Sequence, residues 1–283
     1  MITALVNGSS ANCVPVDDSG LLYADGLFET LLVNAGRPQL WTYHLQRLQR
    51  GCRVLNLEAP AAAVLLAEIE QVARQLPHCV VRLLLTRGSG GRGYTPPREQ
   101  SCNRIVQAFP VPETDQELLQ SGLEIGFSAL RLSAQGPLAG IKHLGRLEQV
   151  LARAQLADSG WPDALMLDQY GRLVESTQAN VFLLQNGRWQ TPRLTEAGVA
   201  GVFRAFLLDH MEVTIDDVFS GSLHRFESMF LCNSVRGILP VRKLQGVTEF
   251  DIAPCLVLRN SVLPVLTDPN SISKLNSQCT SPG

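Results

Sequence analysis

Apolar residues recur along the chain with two different periods, which divide it into short strands and amphipathic helices. Apolar runs bounded by turn residues predict strands, namely ITALVNG, LFETLLVNAGRPQL as a hairpin, CVVRLLLTRG, NRIVQAFPV, LEIGFSAL, DALMLD, RLVE, ANVFLLQ and SMFLC. Helical spacing predicts the segments WTYHLQRLQRGCRVL, AAAVLLAEIEQVARQL, GVFRAFLLDHM and the region around CLVLRNSVLPVL. Because strands and helices occur in both halves, the pattern predicts an α+β fold.

The same pattern predicts two domains. The segment PVPETDQ interrupts both periods with prolines and acidic residues, which is typical of a linker. We therefore predict an N-terminal α+β domain over residues 1–110, a linker over 111–116 and a C-terminal α+β domain over 117–266. Residues 117–266 are followed by 267–283, which have the composition of a flexible tail.

One further helix raises the question of what Lys142 does. A helix from His143 with one buried stripe is predicted by apolar residues at three- and four-residue spacings: Leu144, Leu147, Val150, Leu151 and Ala154. Lys142 would lie at the entrance of that helix, where the macrodipole disfavours a positive charge. Two interpretations follow: the ammonium extends into water, as it does for most lysines, or the amine is reactive.

Composition and charge narrow the classes of function. Of the 283 residues, 45% are hydrophobic and 18% are charged, as in soluble globular proteins. A net charge of −2 without a basic run argues against nucleic acid and anionic membranes, and favours small molecules as partners. No apolar run has the length of a membrane span, and the N-terminus lacks the pattern of a signal peptide. The cysteines form no CxxC motif and the histidines fall at no metal-binding spacing, which favours reduced thiols in the cytoplasm and no metal.

The glycine-rich segment RGSGGRGY, residues 87–94, resembles a phosphate loop. It lacks the lysine and hydroxyl of the nucleotide-binding motif, and no helical pattern follows it. A loop between two strands is the simplest interpretation. Arg87 and Arg92 nevertheless suit a carboxylated ligand, because a guanidinium pairs with a carboxylate through two parallel hydrogen bonds.

Two more segments carry candidate chemistry. TPRLTEAGVAGVFRAF places glycines before a helix that begins near Val202, and the first N–H groups of a helix can hold a phosphate. RLVESTQANVF places Glu175 at the end of a short strand. Each segment alone is equally well explained as an ordinary loop. Together, a lysine that can form an imine, a phosphate-accepting helix start and a carboxylate for a ring nitrogen are what pyridoxal phosphate requires.

From about Val6 to Val241, the chain resembles the fold-type-IV pyridoxal-phosphate enzymes, which include D-amino-acid and branched-chain aminotransferases and aminodeoxychorismate lyases. Motifs in the family's order carry this resemblance: YADGLFET, HLQRL, IKHLGRLEQ, VESTQANVF, TPRL with GVAGVFR, and CNSVRGILPV. RGSGGRGY and AGIKHLGRLEQ resemble the lyases in particular. The resemblance implies a two-domain fold of the D-amino-acid aminotransferase type, pyridoxal 5'-phosphate in the cleft between the domains, and a homodimer.

The resemblance also implies a role for each matched residue. Lys142 matches the Schiff-base lysine, Glu175 the carboxylate that keeps the pyridine nitrogen protonated, and Arg47 the phosphate-binding arginine. The other matches are Asn180, Ser234 and the amides of Val202 and Phe203 for the cofactor, Thr30 for proton transfer, and Arg87 and Arg92 for the substrate. Two positions differ from what the lyases or the branched-chain aminotransferases of the family carry. Glu29 resembles the aminotransferases, and Leu147 stands where branched-chain aminotransferases carry a tyrosine that touches the cofactor's 3'-oxygen.

The activity implied by the resemblance is conversion of 4-amino-4-deoxychorismate to 4-aminobenzoate and pyruvate, a step towards folate. Lys142 would act as the general base, and Thr30 or Lys142 would return a proton to the leaving group. Three alternatives stay open. They are an aminotransferase for D- or branched-chain amino acids, a relative that binds ligands without turnover, and a nucleotide-binding module that uses RGSGGRGY.

Overall fold

The computed structural model describes residues 4–91, 93–113 and 116–267, which fall into two compact units. Unit 1 contains the described residues up to Pro112 together with Ile141–Arg146. Unit 2 contains Glu113–Gly140 and the described residues from Leu147 onward. Arg92, residues 114–115 of the predicted linker and the predicted tail from residue 268 lie outside the described residues.

Unit 1 contains an antiparallel sheet of six strands. These are β1 (Ala4–Val6), β2 (Ser9–Ser10), β3 (Gly26–Asn34), β4 (Arg37–Pro38), β5 (Cys79–Thr86) and β6 (Asn103–Pro110). Their order across the sheet is β2-β1-β6-β5-β3-β4. The predicted hairpin is confirmed by the pairing of β3 with β4, and a second hairpin joins β1 and β2. Ala35 and Gly36, and likewise Asn7 and Gly8, have the positive φ values that tight hairpin turns require.

Three helices accompany this sheet: α1 (Ser19–Tyr23), α2 (Trp41–Leu55) and α3 (Ala62–Ala73). Helices α2 and α3 confirm the predicted segments. Helix α2 packs closely on β3 because Gly51 has no side chain; a Cβ there would lie 2.7 Å from Leu27 Cδ2. Side chains alternate along a strand, so Leu27 and Glu29 face α2 while Phe28 and Thr30 point the other way.

Unit 2 contains a mixed sheet. Its strands are β7 (Leu123–Leu132), β8 (Ala164–Asp168), β9 (Leu173–Ser176), β10 (Asn180–Gln185), β11 (Arg188–Pro192), β12 (Val213–Asp216), β13 (Ser228–Asn233), β14 (Gly237–Leu244) and β15 (Thr248–Glu249). Their order is β12-β11-β10-β13-β14-β7-β8-β9, and β15 pairs with β14. All the strands predicted for this half are confirmed. The apolar pattern does not predict β14, because Pro240 and two basic residues interrupt it.

The described residues of unit 2 form four α-helices: α4 (Gln116–Ser121), α5 (Leu147–Leu156), α6 (Val202–His210) and α7 (Ala253–Thr267). The predicted apolar stripe of α5 is not buried: Leu147, Val150 and Leu151 are 75%, 59% and 55% exposed. Ala152 and Leu156 are the buried residues of this helix instead. Within the described part of the chain, none of the helices is both long and apolar enough to cross a membrane.

The segment Ile141–Arg146 runs beside β3, with an isolated antiparallel bridge between His143 and Leu27. The N–H of Phe28 donates to the carbonyl of Lys142 at 3.0 Å, and the N–H of Leu144 donates to the carbonyl of Gly26 at 3.0 Å. The prediction that a helix begins at His143 is therefore wrong, since α5 begins at Leu147. Pairing prevails over helical periodicity because the edge of β3 carries backbone groups that need partners. Lys142 does not lie at a helix entrance, and the macrodipole argument does not apply to it.

Candidate functional site

Lys142 lies in unit 1 against strand β3. Its carbonyl is tied to Phe28, and its Nζ lies 4.2 Å from the centroid of the Phe28 ring. A cation over an aromatic face is attracted by the negative charge distribution of the ring. Because Phe28 and Thr30 share one face of β3, the Lys142 amine approaches the strand face to which Thr30 also belongs.

On the opposite face of β3, three polar residues form a buried group that we name the Glu29 cluster: Glu29, His44 and Arg47. Glu29 Oε1 accepts from Arg47 Nε at 2.9 Å, and Oε2 lies 2.6 Å from His44 Nδ1 and also accepts from the Arg47 guanidinium. Burial by itself raises the pKa of Glu29, but the positive charge of Arg47 and the hydrogen bonds from Arg47 and His44 outweigh this effect and lower the pKa to about 2. Glu29 is therefore a carboxylate that fixes the orientation of the Arg47 guanidinium.

Arg87 is engaged within unit 1. Its guanidinium donates to Asp25 at 2.6 and 3.0 Å, to Leu55 O at 2.8 Å and to Asn56 O at 3.1 Å. These bonds give Arg87 a structural role. Because Arg87 also lines the cavity beside the glycine-rich loop, its contact with a substrate carboxylate stays a prediction. The glycine-rich loop that follows borders a cavity of about 290 Å³, whose lining includes Gly91 and Gly93. Arg92, the second predicted substrate ligand, comes between these two glycines and lies outside the described residues.

Glu175 lies in unit 2, near the end of β9 as predicted, and is 5% exposed. Its Oε2 accepts the N–H of Val199 at 2.8 Å, and its Oε1 accepts from Gln149 Nε2 at 3.2 Å. The next two residues, Ser176 and Thr177, donate their hydroxyls to Asp163 at 2.9 and 2.6 Å. The carboxylate is thus held from two sides at the end of an anchored strand.

Asn180 organises the loop that leads into α6. Its Nδ2 donates to the carbonyl of Val199 at 2.8 Å, and its Oδ1 accepts the N–H of Gly201 at 3.0 Å. Gly140 braces the same loop, because its N–H donates to Gly198 O at 2.9 Å and its carbonyl accepts the N–H of Ala200 at 3.1 Å. Gly140 comes two residues before Lys142 in the chain.

Helix α6 begins at Val202 after the cap residue Gly201, which supplies no side-chain hydrogen bond. The first N–H groups, those of Val202 and Phe203, are donors that a helix cannot satisfy internally. Ser234 lies in the turn between β13 and β14. The strand that follows this turn reaches the ring of Phe203, since a Cβ on Gly237 would lie 4.0 Å from Phe203 Cζ.

One observation indicates that the start of α6 fits the phosphate group of a cofactor. A Cβ on Gly201 would lie 2.0 Å from Asn180 Oδ1, so the loop before α6 requires a residue without a side chain. Such a bare, uncapped helix start suits an anion.

The sequence analysis did not identify two residues that orient predicted site residues, namely His44 and Gln149. His44 lies three residues before Arg47 on α2, and this spacing places both on one helix face. The HLQRL motif therefore does contain a signal for His44. Gln149 carries no comparable signal. It precedes its partner Glu175 by 26 residues and lies on a different element.

Comparison with known proteins gives a consistent result. Residues 26–244 match the family model of class IV aminotransferases. The chain is 30% identical to an aminodeoxychorismate lyase of Vibrio harveyi over 241 residues, which cover 83% of this chain and 89% of the relative. The structure is similar to that of 4-amino-4-deoxychorismate lyase from Pseudomonas aeruginosa, with 41% identity, a TM-score of 0.87 and coverage of 92% and 97% of the two chains. A branched-chain aminotransferase from Escherichia coli, 23% identical over 88% of each chain, has the same fold with a TM-score of 0.79.

Proposed function

Because the chain belongs to the class IV aminotransferase family, we propose that it is a pyridoxal-phosphate-dependent lyase acting on 4-amino-4-deoxychorismate. The products would be 4-aminobenzoate and pyruvate. The observation that carries the proposal is the likeness to a lyase of that name at 41% identity over 92% of the chain. The placement of Lys142, half-buried with its backbone paired to β3, and of Glu175, buried and held by two hydrogen bonds, supports a catalytic protein over a ligand-binding relative.

Cofactor binding is proposed for two sets of residues. In unit 1, Lys142 would join the cofactor covalently and Arg47, oriented by Glu29, would bind its phosphate. In unit 2, the amides of Val202 and Phe203 with Ser234 would bind the phosphate, Asn180 would hold the loop before α6, and Glu175 would face the ring nitrogen. When bound, pyridoxal phosphate supplies an aldehyde that combines with amines and a ring that withdraws electrons from the adjacent carbon.

The chain's own residues would then move protons. The Lys142 amine would remove the proton from the substrate carbon that bears nitrogen, acting as a general base. Cleavage of the neighbouring carbon–oxygen bond then releases pyruvate in its enol form, and formation of the aromatic product makes the reaction irreversible. Thr30, on the strand face approached by Lys142, or Lys142 itself would return a proton to the leaving group. The Glu175 carboxylate, fixed by Val199 and Gln149, would keep a positive charge on the ring nitrogen.

The test is a steady-state assay with 4-amino-4-deoxychorismate. We expect 4-aminobenzoate and pyruvate in equal amounts, and attachment of the cofactor to Lys142 after borohydride reduction, located by peptide mapping. Lys142→Ala should lose both properties, whereas Lys243→Ala is the matched control and should keep both. Faster transamination of D-alanine or a branched-chain amino acid than release of 4-aminobenzoate would contradict the lyase assignment and favour the aminotransferase.

We further propose that the protein is a homodimer that works in the cytoplasm. The exposed apolar residues Leu147, Val150 and Leu151 of α5 support association, because large apolar groups at helical spacing gain stability when a partner covers them. The scattered cysteines support a reducing compartment.

A further inference from the structure

Gln149 points inward from a helix whose apolar residues point outward. In the first turn of α5, Leu147 and Val150 are exposed, whereas Gln149 is half-buried and its Nε2 lies 3.2 Å from Oε1 of the buried Glu175. An amphipathic helix ordinarily places its apolar residues against the core and its polar residues in water. The inward direction of Gln149 is therefore better explained by a requirement at Glu175 than by packing.

The start of α5 is connected to the loop that carries the second donor to Glu175. Glu148 Oε2 accepts from Gln135 Nε2 at 3.1 Å, and the N–H of Gln135 donates to Glu196 O at 2.7 Å. Glu196 comes three residues before Val199, whose N–H donates to Glu175 Oε2 at 2.8 Å. The two donors, one on each carboxylate oxygen, are thus held relative to each other. Together they fix the plane of the carboxylate, which a single bond would leave able to rotate.

Both of these donors are neutral, and this affects the charge that Glu175 presents. The side-chain amide of Gln149 and the backbone N–H of Val199 orient a carboxylate without cancelling its charge. A lysine or arginine in place of Gln149 would form an ion pair with Glu175 and weaken the attraction of the carboxylate for any other cation. A buried carboxylate held by neutral donors suits a partner that becomes positively charged, such as a ring nitrogen.

We propose that Gln149 is a positioning residue for the cofactor's ring nitrogen: its neutral amide fixes the Glu175 carboxylate and leaves the full negative charge there to keep that nitrogen protonated. The inference rests on the proposed function, because it takes Glu175 as the partner of the ring nitrogen. It adds a requirement on the chemistry of residue 149, which must donate a hydrogen bond and must not carry a charge.

Two substitutions separate these requirements. Gln149→Lys keeps a donor of similar reach but adds a positive charge, and Gln149→Met keeps the length of the side chain but has no donor. Each apoprotein is titrated with pyridoxine 5'-phosphate, which has no aldehyde and so cannot react with Lys142. The near-ultraviolet absorption of the bound probe reports whether its ring nitrogen is protonated, and a series of pH values gives the pKa of that nitrogen. This measurement does not require turnover.

The two substitutions should differ in their effect on the ring nitrogen. Gln149→Lys should lower the pKa of the bound ring nitrogen by about 1–3 units, because the introduced ammonium cancels the charge of Glu175. Gln149→Met should leave that pKa nearly unchanged, but kcat of the cofactor-loaded variant should fall at least about threefold with KM unchanged, because the carboxylate is less well fixed. Gln155→Lys is the matched control and should behave as wild type, since Gln155 is an exposed residue of the same helix whose Oε1 accepts from Ser128.

Three results would overturn the proposal: a ring-nitrogen pKa in Gln149→Lys equal to that of wild type, a pKa in Gln149→Met as low as in Gln149→Lys, or a kcat in Gln149→Met equal to that of wild type. The Gln149→Met results test the proposal even if Gln149→Lys does not fold. If the wild-type protein forms pyruvate and binds the probe but the variants give one of these results, only the role of Gln149 is wrong. If the wild-type protein does not bind the probe, the proposed function falls as well.

Discussion

Gly201 offers a direct test of how the structure shapes the start of α6. Its φ is −64°, which any residue can adopt, so the constraint at this position is space alone. A Cβ would lie 2.0 Å from Asn180 Oδ1, the atom that accepts the Gly201 N–H. Gly201→Ala must therefore displace the Asn180 side chain and break that hydrogen bond, together with the one from Asn180 Nδ2 to Val199 O.

The free-energy cost of Gly201→Ala follows from the loss of these two hydrogen bonds. Each contributes about 0.5–1.5 kcal/mol, so the substitution should cost roughly 1–3 kcal/mol. If the bonds hold the first N–H groups of α6 in place for a phosphate, the cost appears in cofactor binding. A factor of ten corresponds to about 1.4 kcal/mol, so the dissociation constant of pyridoxal phosphate should rise roughly 5- to 150-fold. The assay is titration of apoprotein with the cofactor, followed by absorbance. Gly221→Ala is the matched control, since a Cβ there meets nothing within 4 Å.

A double substitution makes the reasoning refutable. In Asn180→Ala both hydrogen bonds are already lost and the space beside residue 201 is open. Adding Gly201→Ala should then cost little, and the double variant should bind the cofactor about as Asn180→Ala does. Two substitutions that act through one contact are expected to be non-additive in this way. The steric argument is refuted if Gly201→Ala binds like wild type, or if the two single costs simply add in the double variant.

Three other predictions concern single substitutions. Glu175→Gln removes the charge that would stabilise a protonated ring nitrogen, so turnover should fall far more than cofactor occupancy; a cofactor-loaded variant with normal turnover would contradict this role. Arg87→Gln should lower the free energy of unfolding by roughly 2–3 kcal/mol because its charge-assisted bonds to Asp25 are lost. Arg92→Gln should instead raise KM for 4-amino-4-deoxychorismate and leave the free energy of unfolding unchanged. Urea denaturation measures the stability of each variant, and pyruvate release measures KM. If Arg87→Gln raised only KM and Arg92→Gln lowered only stability, Arg87 would be the substrate ligand and Arg92 the structural residue.

The fold was predictable from sequence wherever one physical signal dominates. Helix α2 was delimited by its periodicity, and the hairpins by residues that tolerate positive φ, such as Asn7 and Gly8. The sequence failed where tertiary contacts override a local pattern. The spacing of Leu147, Val150 and Leu151 is helical and the helix exists, but periodicity identifies an apolar face without revealing whether this chain covers it.

The candidate site was predictable only where the type of a single residue and the motif around it indicate a chemical role. Lys142, Glu175 and Arg47 are found through motifs, but the groups that orient them are paired across long stretches of chain. Gln149 reaches Glu175 through the fold, and Arg87 has the composition of a ligand-binding residue while its partners are Asp25 and two carbonyls. The partners of Arg87 come from segments that the fold brings together, and periodicity and spacing do not predict that arrangement.

These partnerships give the motif YADGLFET a role that its sequence alone does not suggest. Gly26 must lack a side chain, because a Cβ would lie 2.3 Å from Leu85 O and 2.8 Å from Leu144 Cδ1, and its carbonyl accepts the N–H of Leu144. The preceding residue, Asp25, holds Arg87 at the base of the glycine-rich loop, and Glu29 holds Arg47. One short strand start therefore fixes the segment that carries Lys142, the loop that carries Arg92 and the arginine proposed for the phosphate.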